Sequence, residues 1–223
     1  GIVGQSDVSV RDCLVNGGDV SGEESTGGIV GTVTNSAEGI CIHGCQSSAN
    51  IYGKYHIGGI CGYYVQYTFI EPSGPLTISE CTNRGNLTER AVSDYGLKQY
   101  LGGIMGDAQG AVTITKCHNS GDVLSDQETC NASEVNLGGI MGGIYNPEKW
   151  ECKISDTDIT GHITEKQHSI SRIGGIIADG RWPNLTLQNT ANYGNLQYAV
   201  NDDYAEAVIG GILGQGCEAE ESD

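Results

Sequence analysis

Phenylalanine occurs once in this 223-residue chain, methionine and tryptophan twice each, and proline four times. So little proline excludes a proline-rich linker. Basic residues are as scarce: 11 Lys and Arg stand against 28 Asp and Glu, a formal net charge of −17. Nucleic-acid binding rests on neutralising phosphates with Lys and Arg, so nucleic acid is excluded as a partner. An anionic membrane surface is excluded on the same ground. Long apolar runs are missing too, none reaching the roughly 18 residues of a membrane-spanning helix, so no membrane insertion is expected within this segment. Ile 22, Val 14, Leu 11 and the single Phe make only 48 residues, 22% of the chain. With this charge, such a composition borders on disorder unless the apolar residues are placed efficiently. Helical periodicity is absent from every long window, which turns attention to strands.

What is abundant is glycine, 35 residues. It does not recur at every third position, so collagen is excluded. It recurs instead in an anchor, Gly-Gly-Ile-x-Gly, at Gly27–Gly31, Gly58–Gly62, Gly102–Gly106, Gly138–Gly142 and Gly210–Gly214, and with Ala last at Gly174–Ala178. Successive anchors are 31, 44, 36, 36 and 36 residues apart. Three equal steps in succession mark an internal repeat.

A second anchor lies between the first. Val112-Thr113-Ile114-Thr115-Lys116-Cys117-His118-Asn119-Ser120-Gly121-Asp122-Val123 and Leu76-Thr77-Ile78-Ser79-Glu80-Cys81-Thr82-Asn83-Arg84-Gly85-Asn86-Leu87 are its fullest copies. The opening alternation of apolar and polar residues, rich in β-branched types, predicts a strand. Asn-x-Gly-Asn/Asp predicts a turn in which glycine supplies a positive φ and Asn or Asp bonds back to the backbone. A unit of about 36 residues with such short strands cannot bury an apolar face alone, and stacking the copies solves this. The expected fold is all-β, a parallel β-helix or β-solenoid of about six coils with a period near 36 residues. A β-sandwich or propeller-like array is the alternative. Cys13, Cys45, Cys81, Cys117, Thr157 and Thr190 should form one interior ladder, and Asn83, Asn119 and Asn192 a polar ladder in the turn. Residues 1–216 form the expected repeat domain and 217–223 an acidic tail. The opening Gly1-Ile2-Val3-Gly4 matches the end of the first anchor, so the chain is expected to be a piece of a longer protein. The inward face of Leu101-Gly102-Gly103-Ile104-Met105-Gly106 stays open, because alternation puts apolar groups on both sides.

The two anchors in fixed order, over nearly the whole chain, resemble the GLUG-type repeat. That resemblance implies a bacterial extracellular or cell-surface protein. Such repeats are found in surface proteins of gut and oral bacteria, in adhesins, and beside the catalytic domain of IgA-specific metallopeptidases. It implies a stalk, spacer or adhesive module without catalytic residues, whose partner is a host or microbial glycan or protein.

The residues themselves offer little catalysis. His-Glu-x-x-His does not occur, so that zinc peptidase site is not here. Cysteine spacing lacks paired metal-binding clusters, and buried cysteine packs as a small hydrophobe. No metal or cofactor is expected, and Asp156-Thr157-Asp158 and Asp202-Asp203 are solvated turn carboxylates rather than a calcium loop. A carbohydrate-active β-helix, lyase or hydrolase, is the rival class. Two or three carboxylates with an Arg or Lys on stacked outward columns would favour it. An aromatic arm on a bland flank would favour binding. Six of the 14 aromatic residues fall between Tyr52 and Phe69. Tyr63, Tyr64, Tyr67 and Phe69 belong to the long repeat, whose extra length should form an arm, and they are the candidate ligand-binding residues.

Packing rather than disulfide bonding of the nine cysteines has a direct check. Thiol titration of the denatured, unreduced protein should find most of them free, whereas a single free thiol would mean a disulfide framework.

Overall fold

The computed structural model describes residues 1–34, 38–67, 74–90, 97–125, 134–144, 150–166, 170–181, 184–199 and 206–216. The acidic tail 217–223 lies outside them. Among the described residues there are strands and turns but no helix. One coil can be followed after Ile104. Wall A is Met105–Gln109, wall B is Val112–Thr115 with His118–Asn119, wall C is Val123–Ser125 and wall D is Glu134–Gly138. The chain then turns at Gly138-Gly139-Ile140 and enters the next wall A at Met141. Wall A stacks seven strands and walls C and D six each.

Pairing is parallel and joins like residues one repeat apart, as in Leu76↔Val112↔Cys152↔Leu185. The architecture is therefore the parallel β-solenoid, with a period near 36 residues. Ile, Leu and Val from all four walls fill one interior, with Ile42, Ile57, Ile78, Leu101 and Ile154 fully buried. Each such side chain contributes on the order of 1.5–3 kcal/mol. The face of the glycine anchor left open by alternation resolves at a corner. Leu101, Ile104 and Met105 are all fully buried, because the chain turns from wall D into wall A between them.

Alternation breaks a second time, inside wall B. Asp12, Glu80, Lys116, Asp156 and Asn189 have φ of 50–55°, and Gly44, in the same column, has 64°. This left-handed residue resets the pleat. Ile114 points in and Thr115 out, and after Lys116 the buried Cys117 points in again. Strict alternation would have aimed Lys116 at the core. The Cys/Thr ladder follows directly. Cys45, Cys81 and Cys117 Sγ each donate to the carbonyl two residues back at 3.3 Å, as Thr157 Oγ1 does at 2.7 Å. A small side chain with a donor suits this column, which is why Cys and Thr interchange there. The seven cysteines among the described residues are free. Burial raises the Cys61 and Cys152 thiols to about 12.

The turn glycines correct an expectation. Gly18 does have a positive φ, of 82°, but Gly85, Gly121, Gly161 and Gly194 do not. Close approach excludes a side chain there. A Cβ on each would lie 1.7–2.1 Å from the backbone oxygen of Ala49, Gly85, Gly121 or Gly161 in the preceding coil. Asn83, Asn119 and Asn192 bond back to the amides of Gly85, Gly121 and Gly194, as expected. Asn83 also donates to Asn119 at 2.8 Å. Ile159 interrupts the column before Asn192. The residue after each turn glycine bonds across to the next coil: Asn86 accepts from the Asp122 amide, Asp122 from that of His162, and His162 from that of Asn195.

The second glycine of every Gly-Gly-Ile corner but the last meets the same constraint. A Cβ on Gly175 would lie 1.9 Å from the Gly211 oxygen, whereas one on Gly211 meets nothing within 4 Å. Gly175→Ala should therefore cost about 3 kcal/mol in urea unfolding, and Gly211→Ala less than about 0.5 kcal/mol.

Candidate functional site

Walls D and A meet at the Gly-Gly-Ile corner, and their outward columns flank it. Wall D presents Ser25, His56, Tyr100, Asn136, Arg172 and Val208, which pair in register. Wall A presents Gln5, Thr32, Tyr63, Asp107, Gly143, Asp179 and Gln215. Outside this corner lies a groove of about 580 Å³, lined by Tyr55, His56, Tyr63, Tyr67 and Tyr100, with Gln5, Ser25, Thr32 and Thr34 among its polar wall.

The sequence candidates separate here. Tyr63 lines the groove, and its hydroxyl donates to Gln109 Oε1 at 3.0 Å. Tyr67 also lines it and is 38% exposed. Tyr64 does not. It is fully buried, points into the core beside Ala108 and Val33, and donates to the Gly74 carbonyl at 3.0 Å. The cause is a reset of the pleat at Gly62, which the register skips while Cys61 and Tyr63 pair with Met105 and Asp107. Tyr63 and Tyr64 also belong to the wall strand Cys61–Val65 rather than to an arm. Phe69 lies outside the described residues.

Three ring side chains of the groove were not among the named candidates: Tyr55, His56 and Tyr100. His56 stacks on Tyr63 at 4.4 Å between ring centres and on Tyr100 at 5.9 Å, with planes inclined by 21° and 7°. Neither His56 nor Tyr100 carries a local motif. Only the wall D register, which places them on adjacent coils, brings them together. Burial raises the Tyr63 hydroxyl to about 12, helped by Asp107 and Tyr67. Burial raises Tyr100 as well, with Asp107 and Asp179 adding to it. Both phenols thus remain protonated donors at neutral pH.

Further along the corner sits a charged group. Arg181 grips Asp179 through two bonds of 2.8 and 2.7 Å. Glu134 pairs with Arg172, and with Lys98 at 3.1 Å, and accepts from Asn136. Burial pushes Glu134 up, but these partners outweigh it and hold it below its ordinary value. Three carboxylates with arginine on stacked outward columns are what the rival enzymatic reading asked for, at the same corner as the aromatic groove. Two of the three are neutralised by ion pairs. The third, Asp107, is buried, and burial, joined by the Asp179 charge, raises it well above its ordinary value. Its Oδ2 lies 3.5 Å from His56 Nδ1, while Asp107 Oδ1 and His56 Nδ1 have no hydrogen-bond partner. Burial alone lowers His56 to about 4. His56 is therefore uncharged at neutral pH, and Asp107 holds its proton more tightly than an ordinary carboxyl.

The other candidate groups are tied up elsewhere. Asp156 accepts from Asn189 Nδ2 at 3.0 Å. Asp158 meets His118 Nδ1 at 3.0 Å, on the opposite face from Cys117. Asp202 and Asp203 lie outside the described residues. Among the described residues no three His, Cys, Asp or Glu side chains are grouped to hold a metal, and no helix is long and apolar enough to cross a membrane. Comparisons with protein-family models, curated proteins and solved structures find no match to this chain.

A native value below the unfolded 6.5 means that the unfolded chain takes up the His56 proton first. The His56 contribution to stability is thus full above pH 6.5 and is lost as pH falls toward about 4. Asp107 runs the other way, stabilising below its unfolded 3.8 and losing that contribution as pH rises. An NMR titration should place the His56 midpoint near 4. Asp107→Asn, which mimics the neutral acid, should change stability by less than about 1 kcal/mol.

Proposed function

We propose that this chain is a non-catalytic extracellular repeat module of a bacterial surface or secreted protein, a rigid scaffold whose groove at the corner of walls D and A binds glycan. The observation that carries this reading is the groove itself. It has a volume typical of ligand sites and is lined by His56, Tyr63 and Tyr100 on stacked strands and by Tyr55 and Tyr67 beside them. Tyrosine offers a flat apolar face with a hydroxyl tip, which suits the mixed surface of a sugar ring. The likeness of the two anchors to the GLUG-type repeat supports the surface location and the spacer role.

A carbohydrate-active enzyme is the second reading, favoured by Asp107, Asp179 and Glu134 beside Arg172 and Arg181. Against it stand the ion pairs that hold Asp179 and Glu134, and the enclosure of Asp107. An assay for new reducing ends or unsaturated products on soluble polysaccharides separates the two, since turnover lost in Asp107→Asn would favour the enzyme.

For the binding reading, Tyr63→Ala combined with Tyr67→Ala should weaken glycan-array or cell binding about tenfold or more, with the fold intact by circular dichroism. Unchanged binding by the folded double variant would remove the groove from consideration. Tyr64 is left untouched because its loss would open the core.

A further inference from the structure

We propose that the groove takes a linear, uncharged polysaccharide laid along the solenoid axis, and that Gly143 determines this by seating the Tyr100 ring. This rests on the glycan-binding reading above and names its ligand class.

The axis follows from the lining. Gln5, Thr32 and Tyr63 come from three successive strands of wall A, and Ser25, His56 and Tyr100 from three successive strands of wall D. The site therefore repeats along the stack at the strand spacing of about 4.8 Å. A chain of rings presents similar groups at regular intervals and can match such rows, whereas a single compact sugar meets only one row.

Charge excludes the acidic polymers. The protein carries −17, and Lys98, the one Lys or Arg among the described residues that line the groove, is paired with Glu134 at 3.1 Å. Arg172 and Arg181 next to it are engaged by Glu134 and Asp179. His56 is neutral, and Glu24 is on the groove wall. A uronate or sulfated chain would meet repulsion with no unpaired cation among the described lining residues to offset it. Hydroxyl and amide groups of Gln5, Ser25, Thr32 and Tyr63 suit a neutral chain.

Gly143 is the one position of the wall A outward column without a side chain. A Cβ there would lie 2.6 Å from both Cδ1 and Cε1 of Tyr100, with Asp107 Oδ1 the next nearest at 3.6 Å. The backbone does not demand glycine at this point as it does at the corners, because its φ is not in the left-handed region and the three atoms nearest a Cβ are all side-chain atoms. What demands it is the ring. With Gly143 beneath it, Tyr100 lies nearly parallel to His56, at 7°, and completes the stack with Tyr63. A side chain at 143 would tilt Tyr100 without disturbing the coil.

The test is affinity electrophoresis of the full chain through gels containing neutral glucans, mannans or xylans, or acidic pectate, alginate or hyaluronan, followed by calorimetry with oligomers of the best neutral polymer. Neutral polymers should retard the protein and acidic ones should not. Affinity should rise with length to on the order of three or four sugars, set by the coil spacing, and then level off. Gly143→Val and, independently, Tyr100→Ala should each weaken binding roughly tenfold with an unchanged unfolding midpoint. Tyr100→Phe should retain the stacking and most of the affinity. Preference for acidic polymers, equal affinity for a monosaccharide, or native affinity in both Gly143→Val and Tyr100→Ala would each overturn the inference while leaving glycan binding intact. Failure of every polymer to retard the protein would overturn the glycan-binding reading itself.

Discussion

The spacing between coils governs this structure. Parallel strands one repeat apart hydrogen-bond at about 4.8 Å, and at the corners the main chain closes to a separation at which no Cβ fits. The oxygen of Gly85 sits where a side chain on Gly121 would start, and that of Gly211 where one on Gly175 would start. Glycine is thus required between coils more than within a coil. Its absence of a side chain lets every backbone group of one turn reach the next, and a chain with so few large aliphatics needs that closeness to seal a core.

The same spacing makes interior columns uniform and exterior ones variable. An inward residue has like neighbours above and below, so Ile, Leu, Val, Met and Cys recur where volume is the only demand. The two resets of the pleat, at the left-handed residue of wall B and at the third glycine of the corner, keep the apolar groups inward despite charged residues such as Lys116 and Glu80 in the strand. Lys116 Nζ reaches Glu80 Oε1 at 3.3 Å along that outer column, a surface contact of small energetic weight. Outward columns answer to no such uniformity. Wall A runs from Gln5 through Tyr63, Asp107 and Gly143 to Asp179 without any change in backbone. The candidate groove is built from these variable columns, and the corner of walls D and A is where aromatic, buried acidic and ion-paired residues accumulate.

Much of the architecture was legible from spacing alone. Equal steps of 36 residues and two anchors in fixed order translate into parallel, in-register walls because each repeat must bury its face on a copy of itself. The Cys/Thr ladder was readable for the same reason. The turn glycines were located correctly but with the wrong cause, since close approach between coils leaves no trace in a single repeat. At the site, Tyr63 and Tyr67 were visible as an aromatic cluster. Tyr64 was misplaced, because the phase reset at Gly62 is invisible to simple alternation. His56 and Tyr100 are 44 residues apart, and nothing local joins them.

The sequence by itself thus determined the repeat, the strand character and the stacking, all of which follow from periodicity. The tertiary structure alone decided which side chains share a corner, that Tyr64 packs inward, that Asp107 and His56 are neighbours, and that Gly143 makes room for Tyr100. Those facts depend on register between coils and on the turn between walls D and A. Both are set by inter-coil hydrogen bonds and close backbone contacts, and no one-dimensional pattern encodes either.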